Sequence, residues 1–276
     1  MKVLVTGVGG QLGYDVMQEL HKRGLDCCGA DRAEFDITDF AATHKFITNY
    51  MPGAVIHCSA YTAVDKAEDE PELCRAVNAG GTENIAKVCQ EIGAKMIYIS
   101  TDYVFLGTGE NFYEPDDATV HCNVYGEMKL VGELAVKKLL EKYFIVRISW
   151  VFGINGNNFI KTMLKLGETH KELNVVADQI GSPTYTADLA VLLVDMVQTD
   201  KYGTYHATNE GICSYCKSIN VIVFAHADKS FLVAVNQHRI HAVNRDVKWQ
   251  KEGTGRKIVS YMDSIVRGGF KSNSNK

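Results

Sequence analysis

The sequence predicts an α/β fold, a doubly wound parallel sheet with a smaller C-terminal lobe. Three observations carry that expectation. Short β-branched apolar runs alternate with amphipathic segments through residue 150, the pattern of a parallel sheet with helices on both faces. A cluster of glycines separates the first strand from the first helix, where such folds hold a pyrophosphate. Tyr125 and Lys129 stand four residues apart in a later helical stretch, on one face of that helix.

Lys2 to Thr6 is β-branched and apolar and stops at glycines, so it reads as a buried strand. Gln11 to Arg23 places Leu12, Val16 and Leu20 on one helical face, and Gly24 suits its C-cap. Leu25 to Ala30 is a second strand ending at Asp31. Phe40 to Tyr50 is a helix with Phe40, His44 and Ile47 on one side, and Ala54 to Ser59 is a strand. Pro71 to Ile92 is helical and Met96 to Ser100 is a strand. Tyr125 to Leu140 is a long helix with basic last turns, which complements its dipole. Phe144 to Trp150 is the next strand, and right-handed crossovers are expected throughout. The Gly/Asn loop Asn155 to Asn158 suits a boundary. The expected division is a dinucleotide-binding domain of 1–150 plus about 184–205, and a substrate lobe of about 151–183 plus 206–276. In that lobe Ile219 to Ala225 and Ser230 to Val235 read as strands, and Lys271 to Lys276 as a disordered tail.

Composition narrows the function. Of 276 residues, 46% are hydrophobic and 22% charged, as in ordinary globular proteins. The formal net charge of −4 carries no basic excess, which argues against nucleic acid as a partner. No apolar run approaches a membrane span or a secretory signal, so a cytoplasmic protein is expected. Eight cysteines in a chain of this length do not make a disulfide scaffold. Cys213 and Cys216 form a lone C-x-x-C without two further matched ligands, so no metal site is expected there.

Gly7, Gly10 and Gly13 form G-x-x-G-x-x-G between the first strand and the first helix. This placement makes the sheet Rossmann-type: the glycines permit the tight turn and close approach of a pyrophosphate, and the helix N-terminus offers N–H groups to it. Asp31, at the end of the second strand, suits the ribose 2′-OH of NAD, whereas Arg32 suits the 2′-phosphate of NADP. Both nucleotides stay open. Asp36 and Ile37 suit the adenine surroundings, with an N-cap or loop role equally open for Asp36.

Tyr125 and Lys129 place a phenol beside an ammonium. A nearby cation is expected to lower the phenol's pKa, and a phenol so tuned can protonate a ketone as hydride reaches its carbon. Ser100 to Tyr103 ends a strand at the carboxyl edge of the sheet, where open α/β folds bind ligands. A hydroxyl there would polarise a substrate carbonyl. His57 and His206 read as core or loop residues, and the acidic run Glu68 to Glu72 as a solvated helix start.

These elements, together with longer strings, resemble the extended short-chain dehydrogenase/reductase superfamily and, within it, the dTDP-4-dehydrorhamnose reductase family. The strings are VTGVGGQLG at 5–13, AYTAVDKAEDEPE at 60–72, VNAGGTENIA at 77–86, ISTDYVFLGTG at 99–109, NVYGEMK at 123–129 and RISWVFG at 147–153. NNFIKTML at 157–164, DQIGSPTYTADLA at 178–190 and GTYHATNEG at 203–211 extend the likeness to about residue 215. The resemblance implies reduction of the 4-keto group of dTDP-4-dehydro-L-rhamnose by NADPH or NADH. It implies Tyr125 as proton donor, Lys129 as cofactor-positioning cation and Thr101 as hydrogen-bond donor to the reacting oxygen. It places cofactor contacts on Gly10, Gln11, Leu12, Asp31, Asp36, Ile37, Ala60, Tyr61 and Thr62, and the loop reading adds Gly7, Gly13 and Arg32. Sugar contacts fall on Thr101, Asp102, Tyr103, Tyr125 and Trp150, with Val64 close by. Trp150 would stack on the sugar or base, or serve as a core aromatic. Some family members form homodimers around Mg²⁺, but no matching acidic set stands out here.

No proline follows Pro183, and the familiar strings stop near Tyr215. A divergent tail and a shifted reading frame both fit that change. Two other functions compete with the reductase. A related nucleotide-sugar epimerase would share the fold. A non-catalytic nucleotide-binding subunit, similar to the regulatory β subunit of methionine adenosyltransferase, would bind cofactor without turnover.

Overall fold

The computed structural model describes residues 1–108, 112–170 and 178–214, with the backbone of 240–243 and 248–250. The expected strands at 219–225 and 230–235, Cys216 and the 271–276 tail lie outside the described residues.

Six parallel strands form the centre of the fold: β1 (Val3–Thr6), β2 (Cys27–Ala30), β3 (Ala54–His57), β4 (Lys95–Thr101), β5 (Tyr143–Ile148) and, later in the chain, β9 (Gly203–Asn209). Their order in the sheet is β2-β1-β3-β4-β5-β9. The order reverses between β1 and β3, and open sheets place their ligands at such a switch point. Two antiparallel strands, β11 (Ile240–Val243) and β12 (Lys248–Gln250), continue the sheet beyond β9. Four short strands lie outside it and pair two by two: β6 (Val151–Phe152) with β8 (Thr184–Tyr185), and β7 (Ile180–Gly181) with β10 (Cys213–Ser214).

Helices cover both faces, as the alternation predicts. On one face α1 (Gln11–Lys22) packs against α8 (Thr186–Val197), and Leu12, Val16 and Leu20 join Val3, Val5, Ile56 and Leu193 in one core. On the other, α2 (Phe40–Tyr50), α5 (Thr82–Ile92) and α6 (Val124–Leu139) enclose Leu4, Ile47, Val55, Ile85 and Val136. Parallel strands buried on both faces carry continuous apolar runs, and all four residues of β1 and of β3 are buried.

Several expectations shift in detail. The second strand begins at Cys27 rather than Leu25, and the fifth stops at Ile148 rather than Trp150. In α2, Thr43 and Ile47 face the core, while the Phe40 and His44 rings meet at a tilt, 5.8 Å apart, on the outer side. Thr43 can point inward because its hydroxyl lies within 3.4 Å of the Asp36 and Ile37 carbonyls. The expected helix from Pro71 to Ile92 is three pieces, α4 (Pro71–Cys74), a π-helical turn over Arg75–Gly81 and α5. Ahead of them lies the short α3 (Val64–Asp69). The remaining helix, α7 (Phe159–Thr169), is capped by Asn158, whose side chain accepts from the Lys161 N–H. Among the described residues, no helix is long and apolar enough to cross a membrane.

Candidate active site

A cleft of about 1210 Å³ runs along the carboxyl ends of β1, β3, β4 and β5. Every residue singled out above as a cofactor or sugar contact lines it except Tyr61. The Tyr61 phenol donates instead to Glu70 at 2.8 Å, and its backbone is clamped by Asn78 through bonds of 2.8 and 3.0 Å. Tyr61 therefore shapes the wall through its main chain.

The glycine loop is built by close approach. Gly7 has φ of +72°, and a Cβ there would lie 2.7 Å from the Ser59 nitrogen on the neighbouring strand end. The loop leads into α1 at Gly10, which caps the helix without a side chain. Asp31 Oδ2 accepts from the Gly9 N–H at 2.8 Å, so the second strand end and the loop are joined directly. Arg32 beside it is exposed and reaches Asp36 at 3.4 Å. Asp36 also accepts from the Thr38 N–H and hydroxyl, so it is a turn-forming acid as well as a cleft residue.

The loop is held from the far side too. Asn155 donates to the carbonyls of Gly9 and Gly10 at 3.0 and 3.2 Å. Asn158 donates to the Gln11 side chain at 3.0 Å. The Gly/Asn stretch expected as a boundary is thus fastened to the phosphate-binding loop. Sequence reasoning missed that contact because the partners lie about 145 positions apart.

Thr101, Tyr125 and Lys129 converge at the end of β4. Thr101 Oγ1 accepts from the Tyr103 N–H at 3.2 Å and donates to Asp102 at 3.0 Å. Asn123 caps α6 by accepting from the Gly126 N–H at 2.7 Å. The helix then sits so close to the turn after β4 that a Cβ on Gly126 would lie 2.2 Å from the Tyr103 carbonyl oxygen. Tyr103 and Tyr125 meet edge to face at 5.7 Å.

Lys129 is buried, donates to the Ile99 carbonyl at 2.6 Å and lies 4.1 Å from the centre of the Tyr98 ring. Burial lowers its ammonium to about 7, against the pull of Glu133, Cys58 and Cys74. The expectation that Lys129 lowers the Tyr125 phenol is not met in this structure. Burial and then the Asp102 charge raise that phenol well above its ordinary value, and only a hydrogen bond with Thr101 opposes them. The lysine's own hydrogen bond goes to the Ile99 carbonyl on β4.

Behind this trio lies a buried network the sequence did not announce. Glu133 takes both arms of Arg147, at 2.8 and 2.7 Å, and accepts from Ser100 at 2.6 Å. Arg147 also donates to the Pro115 carbonyl at 3.0 Å and covers the Phe105 ring at 5.0 Å. The helical spacing Tyr125, Lys129, Glu133 was the available signal.

Trp150 has φ of +46°, a left-handed conformation that a bulky residue adopts only under constraint. Its ring packs so closely on Gly181 that a Cβ there would lie 2.8 Å from the indole. The strain presents an aromatic face at the cleft wall. His57 is a core residue, as expected: Thr6 and Thr82 hydroxyls hold its two ring nitrogens at 2.7 and 3.2 Å. Glu68 and Glu70 are more than a solvated face, since Glu68 accepts from the Val124 N–H at 2.9 Å and Glu70 from Tyr61. No cluster of acidic, histidine or cysteine side chains suited to a metal occurs among the described residues.

Known proteins resemble this chain in sequence and fold. Residues 1–247 match the family model described as the RmlD substrate binding domain. The spore coat polysaccharide biosynthesis protein SpsK of Bacillus subtilis is 40% identical over 222 residues, covering 80% of this chain and 78% of that protein. A dTDP-4-dehydrorhamnose reductase of Mycolicibacterium smegmatis is 42% identical over 216 residues, 77% of this chain, which spans 65% of that relative's length. The crystal structure of a dTDP-4-dehydrorhamnose reductase from Bacillus anthracis in complex with NADP superposes with a TM-score of 0.79 at 45% identity, covering 82% of this chain and 80% of that one. With the match running well past the glycine loop and the Tyr125 helix, the chain belongs to the RmlD substrate-binding-domain family.

Proposed function

We propose that this chain reduces the 4-keto group of dTDP-4-dehydro-L-rhamnose to dTDP-L-rhamnose, with NADPH or NADH as reductant and Tyr125 as proton donor. The observation that carries the reading is the meeting of Thr101, Tyr125 and Lys129 in the same cleft as the glycine loop and Asp31. The likeness to the M. smegmatis and B. anthracis reductases supports the choice of substrate.

The residues present suit a dinucleotide. The start of α1 has no side-chain cap and no acidic residue in its first turn, and Gly10, Gln11 and Leu12 line the cleft. That leaves N–H groups and the positive dipole end for a pyrophosphate. Gly7 and Gly13 shape the turn, Asp31 or Arg32 holds the adenosine ribose, and Asp36, Ile37, Ala60, Tyr61 and Thr62 form the surrounding wall. Lys129 holds the nicotinamide ribose. When bound, the reduced nicotinamide supplies the hydride that adds to C4 of the sugar.

Thr101 hydrogen-bonds the 4-keto oxygen, and Tyr125 gives that oxygen its phenolic proton as the carbon is reduced. The product is the 4-hydroxyl sugar, and water returns a proton to the Tyr125 phenolate. A phenol held above its ordinary pKa stays protonated through the neutral range, the state a proton donor needs. Val64, Asp102, Tyr103 and Trp150 hold the sugar. A dinucleotide domain of 1–150 plus about 184–205 fits this use, since α8 packs on α1 and β9 pairs with β5; the rest forms the substrate lobe. We place the reaction in the cytoplasm, where the thiols of Cys27, Cys28, Cys58, Cys74, Cys89, Cys122 and Cys213 stay free. We also propose a homodimer as the assembly to be tested, by light scattering.

The test follows NADPH, then NADH, by absorbance with enzymatically generated dTDP-4-dehydro-L-rhamnose and identifies the sugar formed. Oxidation coupled to dTDP-rhamnose, lost in Tyr125→Phe, is expected. A folded protein that binds cofactor but forms no product overturns the reading in favour of a regulatory subunit.

A further inference from the structure

We propose that Glu133 is a positioning residue for the reaction, fixing Thr101 and Lys129 in register by tying the catalytic helix to the last residues of β4. The proposal rests on the reductase reading above and adds to it.

The geometry is a pair of hydrogen bonds that pin the catalytic face of α6 to β4. Tyr125, Lys129 and Glu133 are spaced by four along α6 and so share one face. Lys129 and Glu133 bond to consecutive residues of β4, Ile99 and Ser100. Lys129 donates to the Ile99 carbonyl and Glu133 accepts from the Ser100 hydroxyl, while Tyr125 and Thr101 line the same cleft. The Ser100 bond lies one residue before the group that holds the substrate oxygen. All three of Ser100, Glu133 and Arg147 are nearly sealed from solvent, at 2%, 0% and 3% exposure. A bidentate guanidinium fixes Glu133 in both position and orientation. Through its third nitrogen Arg147 also holds the Pro115 carbonyl, so one carboxylate ties α6 to β4, β5 and the segment after β4.

Glu133 also carries charge. The groups facing Lys129 are His57 and Cys58 at the end of β3, Cys74 on α4, Tyr98 on β4, and Tyr125 and Glu133 on α6. His57 is neutral in its buried setting, and Cys58 stays a thiol, pushed up to about 12 by burial. Glu133 is the largest influence opposing the desolvation of the ammonium.

Two variants test this. Glu133→Gln keeps the shape and removes the charge. Its kcat is expected to fall on the order of tenfold or more. The alkaline limb of its pH–rate profile is expected about one unit lower, since losing a neighbouring anion favours the neutral amine. The same shift is expected without substrate, in the carbon-13 NMR titration of Lys129 in lysine-labelled protein, assigned with Lys129→Arg. Because the titration needs no turnover, failure of the reductase reading and failure of this proposal are separable. A folded Glu133→Gln with an unmoved Lys129 titration overturns the proposal. Ser100→Ala covers the case in which Glu133→Gln does not fold. It leaves the ion pair in place, and its kcat is expected to drop severalfold with the KM for the nucleotide sugar within about twofold. An unchanged kcat in Ser100→Ala also overturns it.

Discussion

Replacing Gly126 by alanine probes how the proton donor is held. A Cβ at this position would lie 2.2 Å from the Tyr103 carbonyl oxygen, 2.9 Å from the Tyr103 carbonyl carbon and 3.2 Å from Asn123 Oδ1. Two of these three atoms are backbone and cannot swing away. To reach even 3.0 Å, α6 and the turn after β4 must part by about 0.8 Å. That separation opens the gap between Thr101 on β4 and Tyr125 on α6, the two groups that share the reacting oxygen.

Two effects on stability oppose each other. Overpacking costs about 1–3 kcal/mol, and alanine in the first turn of α6 recovers at most about 1 kcal/mol relative to glycine. The net is a loss of about 0–3 kcal/mol, a few degrees in melting temperature at this chain length. Catalysis should suffer far more, because a displacement near 1 Å in a reacting geometry can lower the rate about a hundredfold. The assay pairs kcat, from NADPH oxidation, with the melting temperature of the same preparation. A near-native melt with kcat about two orders of magnitude down is expected. A folded Gly126→Ala with kcat within twofold of the native chain refutes the argument that this contact sets the geometry.

Four further outcomes follow from the structure. Tyr125→Phe should lower kcat by about 10²–10⁴-fold, the usual worth of a general acid, while leaving cofactor affinity by fluorescence titration within about threefold. Arg147→Met strands the buried Glu133 carboxylate and should lose about 3–5 kcal/mol in urea unfolding, since its exposure is only 3%; a loss under 1 kcal/mol would contradict the network. Gly7→Ala must place a side chain at φ of +72° and 2.7 Å from the Ser59 nitrogen, so NADPH affinity should weaken at least tenfold by calorimetry. His57 is held neutral in the fold, lowered from 6.5 to about 3 by burial and then by Lys129. The unfolded chain takes up that proton first, so stability is full above pH 6.5 and drains away as pH falls toward 3. His57→Gln should flatten urea midpoints across that window, and an equally steep decline in the variant would assign the loss to other groups.

What the sequence disclosed, and what it withheld, divides along the range of the interactions. The strands, the first helix and the glycine loop depend on near neighbours, and their apolar periods and turn residues write them into the chain. Lys2 to Thr6 needed only its β-branched run, and Asp31 only its place at a strand end. By contrast, Phe40 and Ile47 share a helical stripe, yet only Ile47 is buried. The choice is made by Thr43, whose hydroxyl finds the Asp36 and Ile37 carbonyls. No local pattern reports that bond.

The catalytic trio shows the same limit. Tyr125 and Lys129 are four apart and were readable as a pair, but the direction of the lysine's charge was not. It is decided by the Ile99 carbonyl, thirty positions away. The phenol is raised rather than lowered, because burial and then Asp102 act on it. Glu133 extends the Tyr125–Lys129 face by one more helical step, and its spacing alone made it a surface acid as readily as a buried one. What converts it is Arg147 on the neighbouring strand, whose two-point ion pair makes burial of the carboxylate tolerable. A motif therefore names the groups that react, while the electrostatics that tune them come from residues the motif does not contain.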